Sequence, residues 1–339
     1  MPQFDVVTIG SVLRDMTMLT TQGQVFKTPG NVTAQRLIGF EYGAKIDVPL
    51  AYVGAGGGAG NAAVCFCRLG LRTAVISRVG NDAVGTTLKA ELARQGVDHS
   101  RVQTDPNRHT ALSSIIASAK GEYDHVAFVY RGASVGLRLG NGSLAGLRPR
   151  WFYLTAMTGE AWPHNLKIIF TAAARTGTRV AWNPGAEQIS AGRRALERWL
   201  KQTAVLQLNK DEAIELALSG ITLGKRNPRF LNRPLYLLNI LSDWGPRYVV
   251  ITDGARGAYA FHAGKVYRQK AQRRKQADTT GVGDAFGAAF VAGLQASRGD
   301  VPLALRWGTV NASSVLTKVG AQSGILTRAE LAAQLKRLR

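Results

Sequence analysis

The chain has 339 residues, 45% of them hydrophobic, with a mean hydropathy of −0.05. That length suits one large α/β domain or about two smaller ones, and no apolar run is long enough for a membrane span. Lys and Arg outnumber Asp and Glu by 43 to 22, a net charge of +21 that directs attention to anionic partners.

Phe4 to Ile9 is an apolar, β-rich run that reads as a buried first strand ending in a Gly10-Ser11 turn. Asp15 lies just beyond it. Acids at this place are often surface residues, but in an open α/β sheet ligands bind beyond the carboxyl ends of the strands. Residues 17–52 are rich in Thr, Val, Phe, Gly and Pro, and Glu41 to Val48 alternates like a strand. Thr110 to Ile116 and Val126 to Tyr130 are β-like again, joined by the turn-rich Lys120 to Asp124. Two separated β segments inside an α/β chain suggest one small extra sheet, or an edge extension of the main one.

Between them, Gly54 to Gly60 is glycine-rich and leads through Asn61 into a helical pattern, Ala62 to Leu69. The match to a dinucleotide fingerprint is formal only. The preceding strand candidate is short, and no acid clearly ends the next strand, Thr73 to Ser77. Asn61 reads as a helix cap or as a polar contact beside the glycines. Asp82, in Gly80-Asn81-Asp82, reads as a turn or N-cap acid ahead of a helix from about Thr86 to Gln95. Cys65 and Cys67, two apart on a helix, point in different directions, so neither a disulfide nor a metal site is expected; they read as small core residues of a cytoplasmic protein. The N-terminus shows no charged region followed by an apolar stretch, so no signal peptide is expected.

Trp151 to Thr155, a helix over Asn165 to Thr176 and Arg179 to Trp182 form a parallel crossover unit. A helix over Arg193 to Gln202 and a strand over Ala204 to Leu208 follow, running into Asn209-Lys210-Asp211-Glu212, whose bland reading is a capping box. After the basic loop 221–234 come a helix over Leu235 to Leu241, a strand over Tyr248 to Ile251 ending in Thr252-Asp253-Gly254, and a hairpin over Ala258 to Gln269. The last helix is expected over Leu303 to Val319 and carries Asn311.

The most informative stretch is Asp278-Thr279-Thr280-Gly281-Val282-Gly283-Asp284-Ala285-Phe286. It reads as a turn that opens a helix. The first amides of a helix lack intrahelical partners and attract anions, and Gly281 and Gly283 let a phosphate approach the backbone. Asp284 then sits beside that phosphate with a carboxylate that can take a proton. These are the parts a phosphoryl transfer to a hydroxyl requires.

This stretch resembles the C-terminal signature of the ribokinase-like, or PfkB, family of carbohydrate and nucleoside kinases, which usually has Ala where this chain has Val282. The glycine run with Asn61, the Gly80 to Gly85 segment, Asn183-Pro184, Asn209 with Glu212, and Thr252, Gly254 and Gly257 fall in family order, from about Phe4 to Ile325. The resemblance implies one ribokinase-like kinase domain, a three-layer α/β/α sandwich on a mainly parallel sheet. Its small β lid would come from residues near 16–52 and 108–132. It implies ATP-dependent phosphorylation of an alcohol group on a sugar, with a nucleoside as the alternative acceptor. Asp284 would be the base, and Gly281, Val282 and Gly283 the anion hole. Asp15, Gly57, Gly58 and Asn61 would bind the acceptor, and Thr252, Gly254, Gly257 and Asn311 the nucleotide. Asn209 and Glu212 would serve Mg²⁺ through water, and Asp278, Thr280 and Ser323 a possible K⁺. Asp253 stands where the family often has an apolar residue. A homodimer through the lid is possible within the family.

The positive charge is uneven, +6 over residues 1–170 and +15 over 171–339. It clusters at Arg193-Arg194, Lys225 to Arg233, Lys270 to Lys275 and Lys336 to Arg339. No cluster is interleaved with aromatics as a base-stacking surface would be. A solvated basic face that draws in nucleotide is expected, and a nucleic-acid partner is not. A non-catalytic paralogue that binds RNA is the remaining alternative, and the intact Asp284 and glycines speak against it.

Overall fold

The structure, a computed structural model, describes residues 3–28, 36–118, 125–140, 142–224 and 227–337. In chain order its strands are β1 (Val6–Ile9), β2 (Leu13–Thr20), β3 (Gln24–Lys27), β4 (Arg36–Gly39), β5 (Leu50–Gly56), β6 (Thr73–Gly80), β7 (Val102–Asp105), β8 (Leu112–Ser118), β9 (His125–Tyr130), β10 (Trp151–Leu154), β11 (Arg179–Trp182), β12 (Val205–Asn209), β13 (Tyr248–Thr252), β14 (Ala258–His262) and β15 (Lys265–Gln269). The helices are α1 (Gly58–Arg68), α2 (Ala83–Arg94), α3 (Trp162–Thr176), α4 (Ala186–Leu200), α5 (Lys210–Leu218), α6 (Pro234–Ser242), α7 (Val282–Ala296), α8 (Val301–Val315) and α9 (Arg328–Arg337).

Among the described residues a nine-stranded sheet runs β15-β14-β13-β12-β11-β10-β1-β6-β7. It is parallel from β7 to β13 and antiparallel at β14 and β15. Its central strands are apolar on both faces, as a parallel sheet covered by helices requires. Val6, Val75, Tyr153 and Val250 pack with α1, α2, α7, α8 and α9 on one side. Val7, Ile76, Phe152, Leu206 and Ile251 pack with α3 to α6 on the other. The result is the expected three-layer α/β/α sandwich. A second sheet, β5-β2-β8-β9, is built from the two early β segments, and β3 pairs with β4.

Several local expectations shift. Glu41 to Val48 forms no strand; the segment is turn and irregular chain, and the strand starts at Leu50. The helix expected from Ala62 begins at Gly58, because Ala59 and Gly60 donate their amides to Ser11 O (3.1 and 3.3 Å). Those tertiary bonds override the low helix propensity of glycine. The helix expected over Arg193 to Gln202 is the second part of α4, which breaks at Gly192 (φ 76). The last large helix ends at Val315 rather than 319, and α9 has no counterpart in the sequence reading. The connector Lys120 to Asp124, Lys225 and Arg226 of the basic loop, and residues 338–339 lie outside the described residues. Cys65 is buried and Cys67 half-buried, and both are free thiols.

Asp82 is the cap that the sequence suggested, with a second task. Its carboxylate accepts from Gly85 N (2.7 Å), which starts α2, and from Thr110 N (2.7 Å) and Thr110 Oγ1 (2.6 Å), where the chain enters β8. Loss of these bonds in Asp82→Ala is expected to cost about 1–2 kcal/mol, read as a lower urea midpoint at unchanged m-value. An unchanged midpoint would show that the junction does not depend on this acid.

Candidate active site

β1 lies between β6 and β10, and the chain builds outward from it first on one side, then on the other. The order of strands therefore reverses there, which opens a crevice at their carboxyl ends. The N-termini of α1 and α7 face this crevice.

The sequence predicts that a turn at Gly281 opens a helix, and α7 starts at Val282 with Gly281 as its left-handed cap (φ 73). A Cβ on Gly281 would lie 2.6 Å from the Ala321 side chain, so both conformation and space call for glycine. Gly283 is exposed, and a Cβ there would meet nothing within 4 Å. The α7 turn is thus open at Gly283, and the first amides of a helix attract anions. From below, Gln207 Nε2 donates to Gly283 O (3.0 Å), Asn183 Nδ2 to Gln207 O (3.0 Å) and the Tyr153 hydroxyl to Gln207 Oε1 (3.4 Å). Gln207 and Tyr153 are absent from the sequence-derived site. A polar residue inside an otherwise apolar strand was the one available signal for Gln207.

Asp284, in the first turn of α7, meets α1. Asn61 Nδ2 donates to Asp284 Oδ2 (2.9 Å), and Gln322 Nε2 donates to Asn61 Oδ1 (3.0 Å). Asn61 is 3% exposed, so its amide serves Asp284 first. Gln322 carries no sequence signal; it is a polar residue in the loop after α8.

Asp15, just beyond β1, lies on β2 of the second sheet and is 5% exposed. A Cβ on Gly56 would overlap its carboxylate, and a Cβ on Gly58 would lie 3.3 Å from Asp284 Oδ1. The run from Gly56 through Gly57 to Gly58 therefore lets both carboxylates close on the backbone.

Burial raises the Asp15 pKa to about 7; the Asp284 charge adds to this and a Ser113 hydrogen bond opposes it. Burial also raises Asp284, against the Asn61 hydrogen bond. Glu212 rises to about 7, again through burial, opposed by the Asn209 amide and reinforced by Asp284. Three carboxyl groups raised by burial, two of them further by the Asp284 charge, mark a candidate functional site.

Asn209 and Glu212 form the capping box of α5: Glu212 N donates to Asn209 Oδ1 and Asn209 N to Glu212 Oε2, both 2.8 Å. Thr252 lies beside Asn209 in the β12–β13 register, and Gly254 and Gly257 bracket the following turn. Asp253 is 8% exposed and ion-paired to Lys210 (3.2 Å) and Arg256 (3.1 Å). Its departure from an apolar residue is thus matched by two cations.

Asp278, 1% exposed, accepts from Thr280 N (2.9 Å) and Oγ1 (2.7 Å) and, on its other oxygen, from Gly320 N (2.9 Å). It ties the turn before α7 to the loop after α8. In that loop the Ser323 hydroxyl lies 3.1 Å from the Tyr52 hydroxyl on β5, which links the loop to the second sheet.

Asn311, on α8, points into the interior. Its side chain is fully buried, donates to Ala285 O (3.0 Å) and Cys65 Sγ (3.1 Å), and accepts from Leu326 N (2.9 Å). Its side-chain amide is thus held by the protein interior. Two residues earlier, Thr309 joins Lys270, Arg273, Arg274 and Arg306 around a cavity of about 540 Å³ beside the segment that leads to Asp278.

Residues 30–328 match the family model described as pfkB family carbohydrate kinase. The ribokinase of Haemophilus influenzae is 27% identical over 89% of this chain and 95% of its own length. A Burkholderia thailandensis nucleoside kinase, solved in complex with inosine, superposes with a TM-score of 0.78 at 18% identity, covering 98% of both chains. A putative ribokinase II of E. coli, solved with ATP and Mg²⁺, gives 0.73 at 21% identity, covering 98% of this chain and 99% of that one. These likenesses span the crevice, both sheets and the α7 turn alike, and the chain therefore belongs to the pfkB family of carbohydrate kinases, enzymes that transfer a phosphoryl group to an alcohol.

Proposed function

We propose that the crevice phosphorylates an alcohol group of a sugar, with Asp284 as general base. The observation that carries this reading is Asp284 itself, fixed by Asn61 in the first turn of α7, beside the open amides over Gly283. Asp284 accepts the hydroxyl proton as the acceptor oxygen attacks. The amides of Gly281, Val282 and Gly283 stabilise the charge that develops on the transferred group. Asp15 and the backbone at Gly57 and Gly58 orient the acceptor, and the sheet β5-β2-β8-β9 covers it and excludes water.

Among the described residues no group of three or more His, Cys, Asp or Glu could hold a metal by itself. That suits Mg²⁺, which keeps several waters and binds through one or two carboxylates together with substrate phosphates. Glu212, oriented by Asn209, is the carboxylate placed for it. When bound, ATP with Mg²⁺ would supply the phosphoryl group and neutralise its oxygens. Thr252, Gly254 and Gly257 border the nucleotide, and the cavity at Thr309 and Arg306 takes its base end in place of Asn311. Asp278 is buried and tied through Gly320 N to the loop that carries Ser323, and this segment and loop would hold a monovalent cation such as K⁺. A homodimer through the second sheet belongs to the same reading. Leu50, Val53 and Phe128 are exposed on its strands (48, 58 and 61%), and sedimentation equilibrium tests it.

A nucleoside acceptor is the second reading, favoured by the inosine-bound neighbour. ADP release from ATP–Mg²⁺ against a panel of sugars and nucleosides, with and without K⁺, separates the two. Stimulation by no member of either class would overturn the assignment.

The Gln322–Asn61–Asp284 chain gives a sharper expectation. The Asn61 hydrogen bond lowers the Asp284 pKa against burial. Gln322→Ala frees Asn61 to rotate and should cut kcat about tenfold, moving the acid limb of the kcat profile to higher pH. A lower kcat with an unmoved limb would mean that Gln322 acts only on structure.

A further inference from the structure

The opposite edge of the large sheet, at the amino ends of its parallel strands, carries a row of arginines unrelated to the crevice. Backbone hydrogen bonds set them side by side. Asp5 N donates to Arg72 O (2.8 Å), Arg150 N to Asp5 O (3.0 Å) and Arg179 N to Arg150 O (3.2 Å). Arg247 stands two strands further along, at the start of β13. Neighbouring strands are about 4.8 Å apart, so the row from β6 to β13 spans roughly 24 Å. Arg148 and Arg175 line a cavity of about 410 Å³ next to Arg150 and Arg179. All six arginines are exposed.

Their charges are poorly compensated. Asp5 is ion-paired to Arg72 (3.4 Å) and Arg150 (3.6 Å), and among the described residues Arg148, Arg175, Arg179 and Arg247 have no ion pair. Arg179 instead stacks on Trp151, its Cζ 4.1 Å from a ring centroid, and Arg247 lies over Tyr248 at 5.6 Å. Burial lowers the Arg179 pKa, and the charges of Arg247 and Arg150 lower it further, against Tyr248. Like charges facing each other across a rigid sheet edge are a cost that a polyanion would relieve.

We propose that this edge binds the phosphate backbone of duplex nucleic acid. The rings at the edge, Trp151 and Tyr248, are buried beneath guanidinium groups, so none is free to stack on an unpaired base. What remains is a cationic strip that meets phosphates without reading sequence, and a duplex presents about one phosphate per 3.4 Å of its axis on each strand. Arginine suits this role through its planar fork of donors.

The test is fluorescence anisotropy of the full chain with a short labelled DNA duplex, titrated from roughly 50 to 200 mM salt. Each phosphate contact contributes a slope of about −0.9 in log K against log salt. The triple variant Arg148→Gln/Arg175→Gln/Arg247→Gln should flatten the slope by about 2 to 3 and weaken binding more than tenfold. The variant Lys167→Gln/Arg194→Gln/Lys336→Gln removes the same charge from exposed helical positions and should change the slope by less than about 1. Both should keep the parent melting temperature. Equal losses in the two variants would assign the binding to net charge and overturn the proposal. So would tighter binding to single-stranded RNA or to anionic lipid vesicles, or no duplex binding at the lowest salt.

Discussion

Asp284→Asn is expected to fold normally and to lose about a thousandfold in kcat, with ATP affinity little changed. A positioned general base contributes on the order of 10²–10⁴ in rate, and an amide cannot accept the hydroxyl proton. The fold should survive because Asn61 Nδ2, which now donates to Asp284 Oδ2 at 2.9 Å, finds an acceptor in the new amide oxygen as well. Removing a buried carboxylate whose pKa is raised by burial also removes a desolvation penalty. Single-turnover ADP formation at saturating acceptor isolates the chemical step. Turnover within a few-fold of the parent would take Asp284 out of the mechanism and leave the helix N-terminus as the main source of rate.

Asp15→Asn should make the protein more stable and less able to bind its acceptor. Asp15 is 5% exposed, and burial raises its pKa from an ordinary 3.8 to about 7, with the Asp284 charge adding to this. The folded state then holds this proton more tightly than the unfolded chain. The associated stability is complete below about pH 4 and is lost as pH rises through about 7. Above that, the parent protein carries a buried charge that costs up to roughly 4 kcal/mol, at 1.4 kcal/mol per pKa unit. Asn carries no charge at any pH. Urea midpoints should favour Asp15→Asn by roughly 2–4 kcal/mol at pH 8 and show little difference at pH 4. In the same variant the KM for the acceptor should rise at least tenfold. A gain in stability that is independent of pH would mean that packing, not charge, distinguishes the two proteins.

The layered architecture was legible in the sequence because the core strands are short apolar runs and a covering helix such as α3 buries one face at the 3.6 period. The α7 turn was legible for a related reason. Gly281 occupies a left-handed cap pressed against Ala321, and the following Gly283 and Asp284 form the first turn of a helix. Such chemistry is local, lies within nine residues and leaves a pattern. Glu41 to Val48 shows where this fails: its alternation matches a strand, yet the segment is turn and irregular chain.

Asn311 and Gln322 mark the same boundary from the other side. Both are polar residues near the C-terminal end of α8, and nothing local separates them. The fold buries Asn311 against Ala285 and Leu326 and sends Gln322 to Asn61, some 260 residues earlier in the chain. The arginine row is a similar case. The charge clusters visible in the sequence are at 193–194, 225–233, 270–275 and 336–339, whereas Arg72, Arg150, Arg179 and Arg247 are far from one another in sequence and are aligned only through strand pairing. The sequence by itself determined the layers, the family and the glycine turn that opens α7, because periodicity and turn chemistry act within a few residues. The tertiary structure alone decided which side chains orient Asp284, that Asp15 enters the site from the second sheet, and which edge gathers the charge, because those outcomes depend on contacts between segments that share no local pattern.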